Sequence, residues 1–183
     1  HHAEGSSDEH AHGHDDHDHG PHVWLSIAWL KAEAERLAGL FGELSPRHAD
    51  EFRAAAERTI RELDELDAEL RSKLAPLRGE RFFVYHPAYG AFAEEFGLIE
   101  TAVEQGGKPP DDRTLSRLQE QAAEATLKVL IVQPQITSPA VEAVARSADL
   151  KTATCDPLAE DVPSTLRALA ETLVEAYEAS HGG

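Results

Sequence analysis

The chain has 183 residues, 41% of them hydrophobic, which is enough for one domain with a substantial core or for two small lobes. It carries 34 acidic residues against 17 Lys and Arg, and its formal net charge is −17. This balance argues against nucleic acid and anionic membrane surfaces as partners, because both require basic patches. No apolar run approaches the roughly 20 residues of a membrane span, and a single cysteine excludes an internal disulfide framework. The absence of methionine favours a processed or truncated product.

Residues 1–21 form a low-complexity segment with seven His, six acids and no apolar residue larger than Ala. Such a segment cannot bury enough surface to offset the entropy of ordering, so we expect it to be mobile. Its interleaved His and Asp side chains can hold several divalent ions weakly, although a solvated acidic linker is the alternative. The histidines predicted to bind metal in this way are His10, His12, His14, His17 and His19.

Two helices are predicted next. Residues 23–42 show apolar positions at helical spacing, with Ser26 as a candidate cap and Gly42 at the end. Ser45 and Pro46 then open a second helix of about 30 residues, which at ~1.5 Å rise per residue is roughly 45 Å long and ends at Gly79. Its length is typical of a rod that spans two lobes or of a coiled-coil arm. The apolar stripe consists of Phe52, Ala56, Thr59, Leu63, Leu66, Leu70 and Leu74.

From residue 81 onward, short apolar strands alternate with helices. The alternation predicts βαβ units and a parallel sheet, and therefore an α/β fold. The predicted strands are 81–85, 98–103, 127–132 and 150–155, and the predicted helices are 91–96, 114–126, 139–148 and 163–179.

Polar residues follow three of these strands: His86 after RFFVY, Gln133-Pro134-Gln135 after LKVLIV, and Asp156 after KTATC. The carboxyl ends of parallel strands lie at one rim, where ligands bind, so His86 and Asp156 can converge although they are 70 residues apart. An imidazole and a carboxylate beside a His-rich segment indicate a metal, and zinc is the usual partner of neutral imidazole.

Each of these residues also has a simpler interpretation. His86 could cap a helix or lie at the edge of the core, and Asp156 could be an N-cap or a turn residue before Pro157. His22, at the start of the first helix, is a better placed ligand than a histidine of the tail, but it could be merely the last member of the His run. Cys155 could be a soft ligand, and a small buried residue at the end of a strand is the favoured alternative.

Catalysis has little support in the sequence. The chain contains no HExxH, no GxSxG and no phosphate-binding loop. A zinc hydrolase would need a general base beside an open coordination position, and no residue is singled out for that role. We therefore expect a protein that is not an enzyme.

Five segments together resemble the zinc-specific solute-binding proteins of bacterial ABC importers, in the metal-binding cluster A-I family. These are PHVWLS after the His-rich segment, LSPRHADEF, FFVYHPAYGAFAEEFGL, KVLIVQPQITSPAVEAVA and CDPLAED. They follow the order of the family and extend over nearly the whole chain. No single segment is specific, but the combination is.

The resemblance implies two lobes, each a small parallel sheet with helices, joined by a rigid helical rod. Residues 1–21 would then be the metal-binding loop, 22–44 a remnant of the first lobe, 45–79 the connecting helix and 80–183 the second lobe. Zn2+ would bind between the lobes to His22, His86 and a histidine of the first lobe, which would precede residue 1, with Asp156 as fourth or auxiliary ligand. Manganese relatives carry Glu at the position of His86, which favours the zinc branch.

The function implied is zinc capture and delivery to an ABC transporter permease, in the periplasm or lipid-anchored at the bacterial cell surface. The resemblance also implies that the apolar face of residues 23–41 lacks its usual partner. A His-rich metallochaperone or zinc store without a transporter is the first alternative. A surface adhesin-like protein is the second, and a zinc hydrolase is a distant third.

Overall fold

The computed structural model describes residues 22–104, 110–136 and 139–182. The predicted metal-binding histidines of residues 1–21 lie outside the described residues. The described strands are β1 (Arg81–Val84), β2 (Ile99–Ala102), β3 (Val129–Val132) and β4 (Lys151–Thr154). The described α-helices are α1 (Ile27–Leu44), α2 (Ala49–Leu74), α3 (Gly90–Phe96), α4 (Asp112–Glu124), α5 (Pro139–Ser147) and α6 (Val162–His181).

The first predicted helix is two elements. His22 precedes a single 3-10 turn, Val23–Leu25, and α1 begins only after Ser26, whose hydroxyl accepts a hydrogen bond from the Trp29 backbone N–H at 3.2 Å. The predicted cap is therefore confirmed, but it caps the second element. The predicted end at Gly42 is wrong, since α1 continues to Leu44. Gly42 lies where α1 meets the next helix: a Cβ there would be 3.4 Å from the Cβ of Ala49.

The predicted rod is present from Pro46 to Leu77, but it is not one continuous α-helix. Its central helix α2 has 26 residues, about 39 Å at ~1.5 Å per residue, and 3-10 turns at Pro46–His48 and Ala75–Leu77 flank it. Thr59, predicted on the apolar stripe, is exposed. Only the carboxyl-terminal half of α2 is built into the core, through Leu63, Leu66, Leu70 and Leu74. The amino-terminal half packs against α1 and leaves large apolar side chains of α1 exposed, among them Phe41 and Leu44.

The four strands form one parallel sheet in the order β2-β1-β3-β4. Alternate side chains of the strands enter two separate cores, as the pleat requires. Phe82 and Val84 lie in the core shared with α2, α3 and α6, whereas Phe83 lies in the core shared with α4 and α5. The sheet is thus covered on both faces, and the predicted α/β fold with a parallel βαβ lobe is confirmed.

None of the helices in the described ranges is long and apolar enough to cross a bilayer.

Candidate metal centre

The candidate site lies at the carboxyl rim of the sheet. The chain leaves β1 toward β2 on one side and then crosses to β3 on the other, so the strand order reverses between β1 and β3. Loops that diverge at such a point leave a crevice in which ligands bind. The rim carries a polar residue shortly after each strand: His86, Glu104, Gln133 and Asp156.

Two imidazoles from distant segments meet at this rim. The ring centroids of His22 and His86 are 5.3 Å apart, with the planes nearly perpendicular. His22 is brought there by the 3-10 turn that precedes α1, and His86 by the end of β1. The start of α1, directly after this turn, is fixed from α3, because the Glu95 carboxylate accepts hydrogen bonds from the backbone N–H groups of Ile27 and Ala28 at 2.9 and 3.0 Å.

His86 has a carboxylate partner on one ring nitrogen. Its Nδ1 lies 3.1 Å from Oε1 of Glu104, which is only 12% exposed in its side chain. An Nδ1–H that donates to a carboxylate leaves Nε2 as the unprotonated, metal-binding nitrogen. Carboxylate–histidine pairs of this kind orient the ligand at zinc sites. The arrangement favours a metal ligand over the capping or core-edge histidine that the sequence left open.

The surroundings of His22 favour the neutral form of its imidazole. Burial, and secondarily the neighbouring His86, lower the pKa of His22 below its ordinary value. Neutral imidazole is the form that coordinates a metal. The Nδ1 atom of His22 is also buried without a hydrogen-bond partner among the described residues.

The loop after β1 is held by a half-buried carboxylate. Oε1 of Glu100 accepts hydrogen bonds from the backbone N–H groups of Ala88 and Tyr89 at 3.2 and 2.9 Å. Burial raises the pKa of Glu100, although the two backbone donors and His86 act in the opposite direction. The loop that carries His86 is therefore anchored to β2.

Asp156 occupies a turn at the same rim. Its Oδ1 accepts hydrogen bonds from the Leu158 backbone N–H at 3.0 Å and from Nε2 of Gln135 at 2.9 Å. The first is the local bond of an Asx turn, so the turn interpretation of Asp156 is confirmed. In the described ranges, no group of three His, Cys, Asp or Glu side chains is close enough together to hold one ion. The structure thus pairs His22 with His86 and leaves Asp156 engaged by Gln135.

The other candidate residues have simpler roles. Cys155 is buried at the end of β4, and burial raises the pKa of its thiol, so the structural interpretation holds. Two histidines that were not predicted as ligands also have ordinary contacts: Nδ1 of His48 lies 3.2 Å from a carboxylate oxygen of Glu51, and the exposed His181 contacts the Tyr177 carbonyl.

Glu104 is the site residue that the sequence analysis missed. It follows β2 as His86 follows β1, so the same rule about strand ends could have found it. Its pairing with His86 depends on the parallel register of β1 and β2, in which Val84 is opposite Ala102. Strand alternation alone does not specify that register.

The chain is similar in sequence to proteins of a known family. Residues 1–176 match the sequence profile described as ZnuA, zinc-uptake complex component A, periplasmic. The high-affinity zinc uptake system protein ZnuA of Yersinia pestis is 28% identical over 158 residues, which are 81% of this chain and 48% of that protein.

Two solved structures share the fold. A crystal structure of ZnuA is 32% identical with a TM-score of 0.81, over 86% of this chain and 62% of the other. The laminin-binding protein Lmb of Streptococcus agalactiae, described as a bifunctional protein with adhesin and metal transporting activity, is 25% identical with a TM-score of 0.76, over 84% of this chain and 64% of the other.

The chain spans about half the length of the Yersinia relative. The profile match nevertheless extends over nearly all of this chain, including the rod, the sheet and the paired histidines at the rim. The chain belongs to the family of the periplasmic zinc-uptake component A.

Proposed function

We propose that this chain is the zinc-binding part of a solute-binding protein that captures zinc and delivers it to the permease of an ABC importer. The observation that carries the proposal is the approach of His22 and His86, from separate segments, at the carboxyl rim of the sheet. Nitrogen donors favour zinc over harder ions such as manganese. The protein would act in the periplasm or anchored at the cell surface, and the description of the matching family as periplasmic supports the first of these locations.

In the proposed site, His86 binds zinc through Nε2, because Glu104 engages its Nδ1. His22 is the second nitrogen ligand. Asp156 becomes a ligand when its carboxylate turns away from Gln135, and a further donor comes from outside the described residues. The chain would carry out no catalysis. Its parts are the loop 1–21, the segment 22–44, the rod 45–79 and the second lobe 80–183.

Replacing His86 tests the proposal. The His86→Ala variant should bind zinc at least tenfold more weakly in competition with a chelator, since it removes one of few ligands. His181→Ala is the matched control, because His181 lies on an exposed helix end away from the rim. An unchanged zinc affinity in His86→Ala would overturn the assignment.

Deleting residues 1–21 separates this function from that of a His-rich store. A store would lose most of its zinc with that segment, whereas a protein with a site at the rim keeps one ion that depends on His86. The histidines of the segment, from His10 to His19, would raise the local zinc concentration.

The description of the Streptococcus agalactiae relative supports one alternative, an adhesin-like role. Binding of the chain to immobilised laminin, compared with capture of the importer's permease, distinguishes the two. Laminin binding that is unaffected by His86→Ala would favour an adhesin that acts independently of metal.

A further inference from the structure

Asp156 is bracketed by two carbonyl groups that both accept hydrogen bonds from elsewhere at the rim. The carbonyl before it, on Cys155, accepts from the hydroxyl of Tyr89 at 2.9 Å. The carbonyl after it, on Pro157, accepts from the indole Nε1–H of Trp24 at 2.8 Å. Both bonds connect residues more than 60 positions apart in the chain. The backbone of this turn is therefore held from both sides.

The two donors come from the segments that carry the two histidines. Trp24 lies in the 3-10 turn after His22, and its ring contacts the His22 ring edge-on, with centroids 5.2 Å apart. Tyr89 lies three residues after His86, is wholly buried, and is held at its own backbone N–H by Glu100. Each histidine segment is thus connected directly to the Asp156 turn.

We infer that Trp24 and Tyr89 are positioning residues of the metal site, which set the position of the Asp156 turn relative to His22 and His86. With the backbone fixed on both sides, only the carboxylate of Asp156 has to rotate from Gln135 toward an ion. Ordering this segment before the ion arrives reduces the entropy lost on binding, which strengthens binding without adding a contact to the metal.

This inference rests on the proposed function, and it gives a role in zinc binding to two residues that do not touch the ion. A positioning role differs from a merely structural role in one respect. If Trp24 and Tyr89 act through Asp156, their effect on zinc affinity must disappear when Asp156 can no longer be an anionic ligand. A general loss of stability would weaken binding whether or not that carboxylate is present.

The test is a double-mutant cycle on the full 183-residue chain. Zinc affinity is measured by competition with a chelator, and only the ion whose binding is lost in His86→Ala is considered. Trp24→Phe and Tyr89→Phe each delete one donor and keep an aromatic ring. We expect each to weaken zinc binding about fivefold, the size typical of one lost hydrogen bond. In the Asp156→Asn background the same substitutions should change affinity less than about twofold, because the coupled group is gone.

The chain offers a control for each substitution. Trp29→Phe alters the other tryptophan, on the exposed face of α1, and Tyr177→Phe alters a half-buried tyrosine on α6. Both should leave zinc affinity unchanged. Because Tyr89 is wholly buried, its variant could lose structure, so Trp24→Phe, at a half-exposed position, decides the case if Tyr89→Phe does not fold.

Wild-type affinity in Trp24→Phe, or an equal loss with and without the Asp156 carboxylate, would overturn the inference. Failure of the proposed function looks different: His86→Ala would then leave zinc binding unchanged, and no ion would remain for the cycle to measure.

Discussion

Glu104 engages one ring nitrogen of His86 and, in the proposed site, leaves the other nitrogen to the metal. Its Oε1 lies 3.1 Å from Nδ1, and the carboxylate is mostly shielded from water. A neutral histidine carries one ring proton, so a proton held on Nδ1 leaves the lone pair on Nε2. The role of His86 as a ligand in the proposed site thus depends on a neighbour that does not itself need to touch the ion.

The Glu104→Ala variant should bind zinc about tenfold more weakly, the lower end of the loss expected when such a partner is removed. Glu104→Gln keeps an oxygen that can accept from Nδ1–H and should retain most of the affinity. Nitrogen NMR of the His86 ring, recorded with chelator competition, checks both the tautomer and the affinity. Equal losses in the two variants would show that the charge of Glu104, and not its hydrogen bond, is what matters.

At this scale the sequence predicted residues but not their partners. His86 and Asp156 were predicted from strand ends alone, and His22 from its position beside a helix start. The bonds from Trp24 and Tyr89 end on backbone carbonyls, which carry no side-chain pattern in a sequence. Glu104 was missed because the argument was applied to three strand ends out of four.

Helix α6 begins at a charged cap that makes its stability depend on pH. Hydrogen bonds from Ser164, first from its side chain and then from its backbone N–H, lower the pKa of Asp161 below its ordinary value of 3.8. A carboxyl group whose pKa is lower in the folded state stabilises the fold above its unfolded pKa, and that contribution disappears as the pH falls through the folded value.

The Asp161→Ala variant should therefore unfold at a lower temperature than the wild type at neutral pH. The difference should shrink as the pH falls below 3.8, because the wild-type carboxyl then becomes protonated. Asp161→Asn, which can cap the helix but does not ionise, should lie close to the wild type at acid pH. Thermal unfolding by circular dichroism across this range measures the effect, and a pH-independent difference would contradict it.

The end of α3 requires a glycine. Gly97 has a φ of 70°, and a Cβ there would be 3.2 Å from the Cγ of Arg78. Gly97→Ala should lower the free energy of unfolding by about 1–2 kcal/mol, because the left-handed conformation is unfavourable for residues with a Cβ. The control is Gly39→Ala inside α1, where an added Cβ would meet nothing beyond its own helix backbone within 4 Å, and it should stabilise by roughly 0.5–1 kcal/mol. Urea unfolding measures the free energy of unfolding of both variants. A Gly97→Ala variant as stable as the wild type would contradict the argument.

Most elements were predictable from periodicity, and the errors lie at boundaries. The alternation of the second lobe predicted four strands and four helices to within about two residues. The first helix was mispredicted at both ends for two reasons. A 3-10 turn shares the apolar spacing of an α-helix over one turn, so the helix was predicted to start at Val23 even though Ser26 was identified as a candidate cap. Gly42 resembled a stop signal, but its conformation is helical and it serves the close approach to Ala49.

At the scale of the whole molecule, the sheet order could not be read from alternation. Alternating strands and helices predict parallel strands, but they allow several orders. The observed order β2-β1-β3-β4 puts the strand reversal beside His86, and this is what brings the rim residues together. The two cores on either side of the sheet then hold the strands in register.

Large apolar side chains near the end of α1 are exposed. Leu40, Phe41 and Leu44 are 41%, 44% and 73% exposed, whereas Leu25 and Ile27 at the start of the segment are buried against the lobe. The first turn of this segment thus belongs to the rim that carries His22. The rest forms a hairpin with α2 that extends away from the sheet.

The central claim is that one zinc ion binds between His22 and His86. Anomalous diffraction at the zinc absorption edge, on crystals of the full chain grown with one equivalent of Zn2+, tests it most directly. The account predicts an anomalous peak about 2.1 Å from Nε2 of His86, with the His22 ring also bound to the ion. Zinc peaks found only on other side chains, with both of these imidazoles free of metal, would contradict the account.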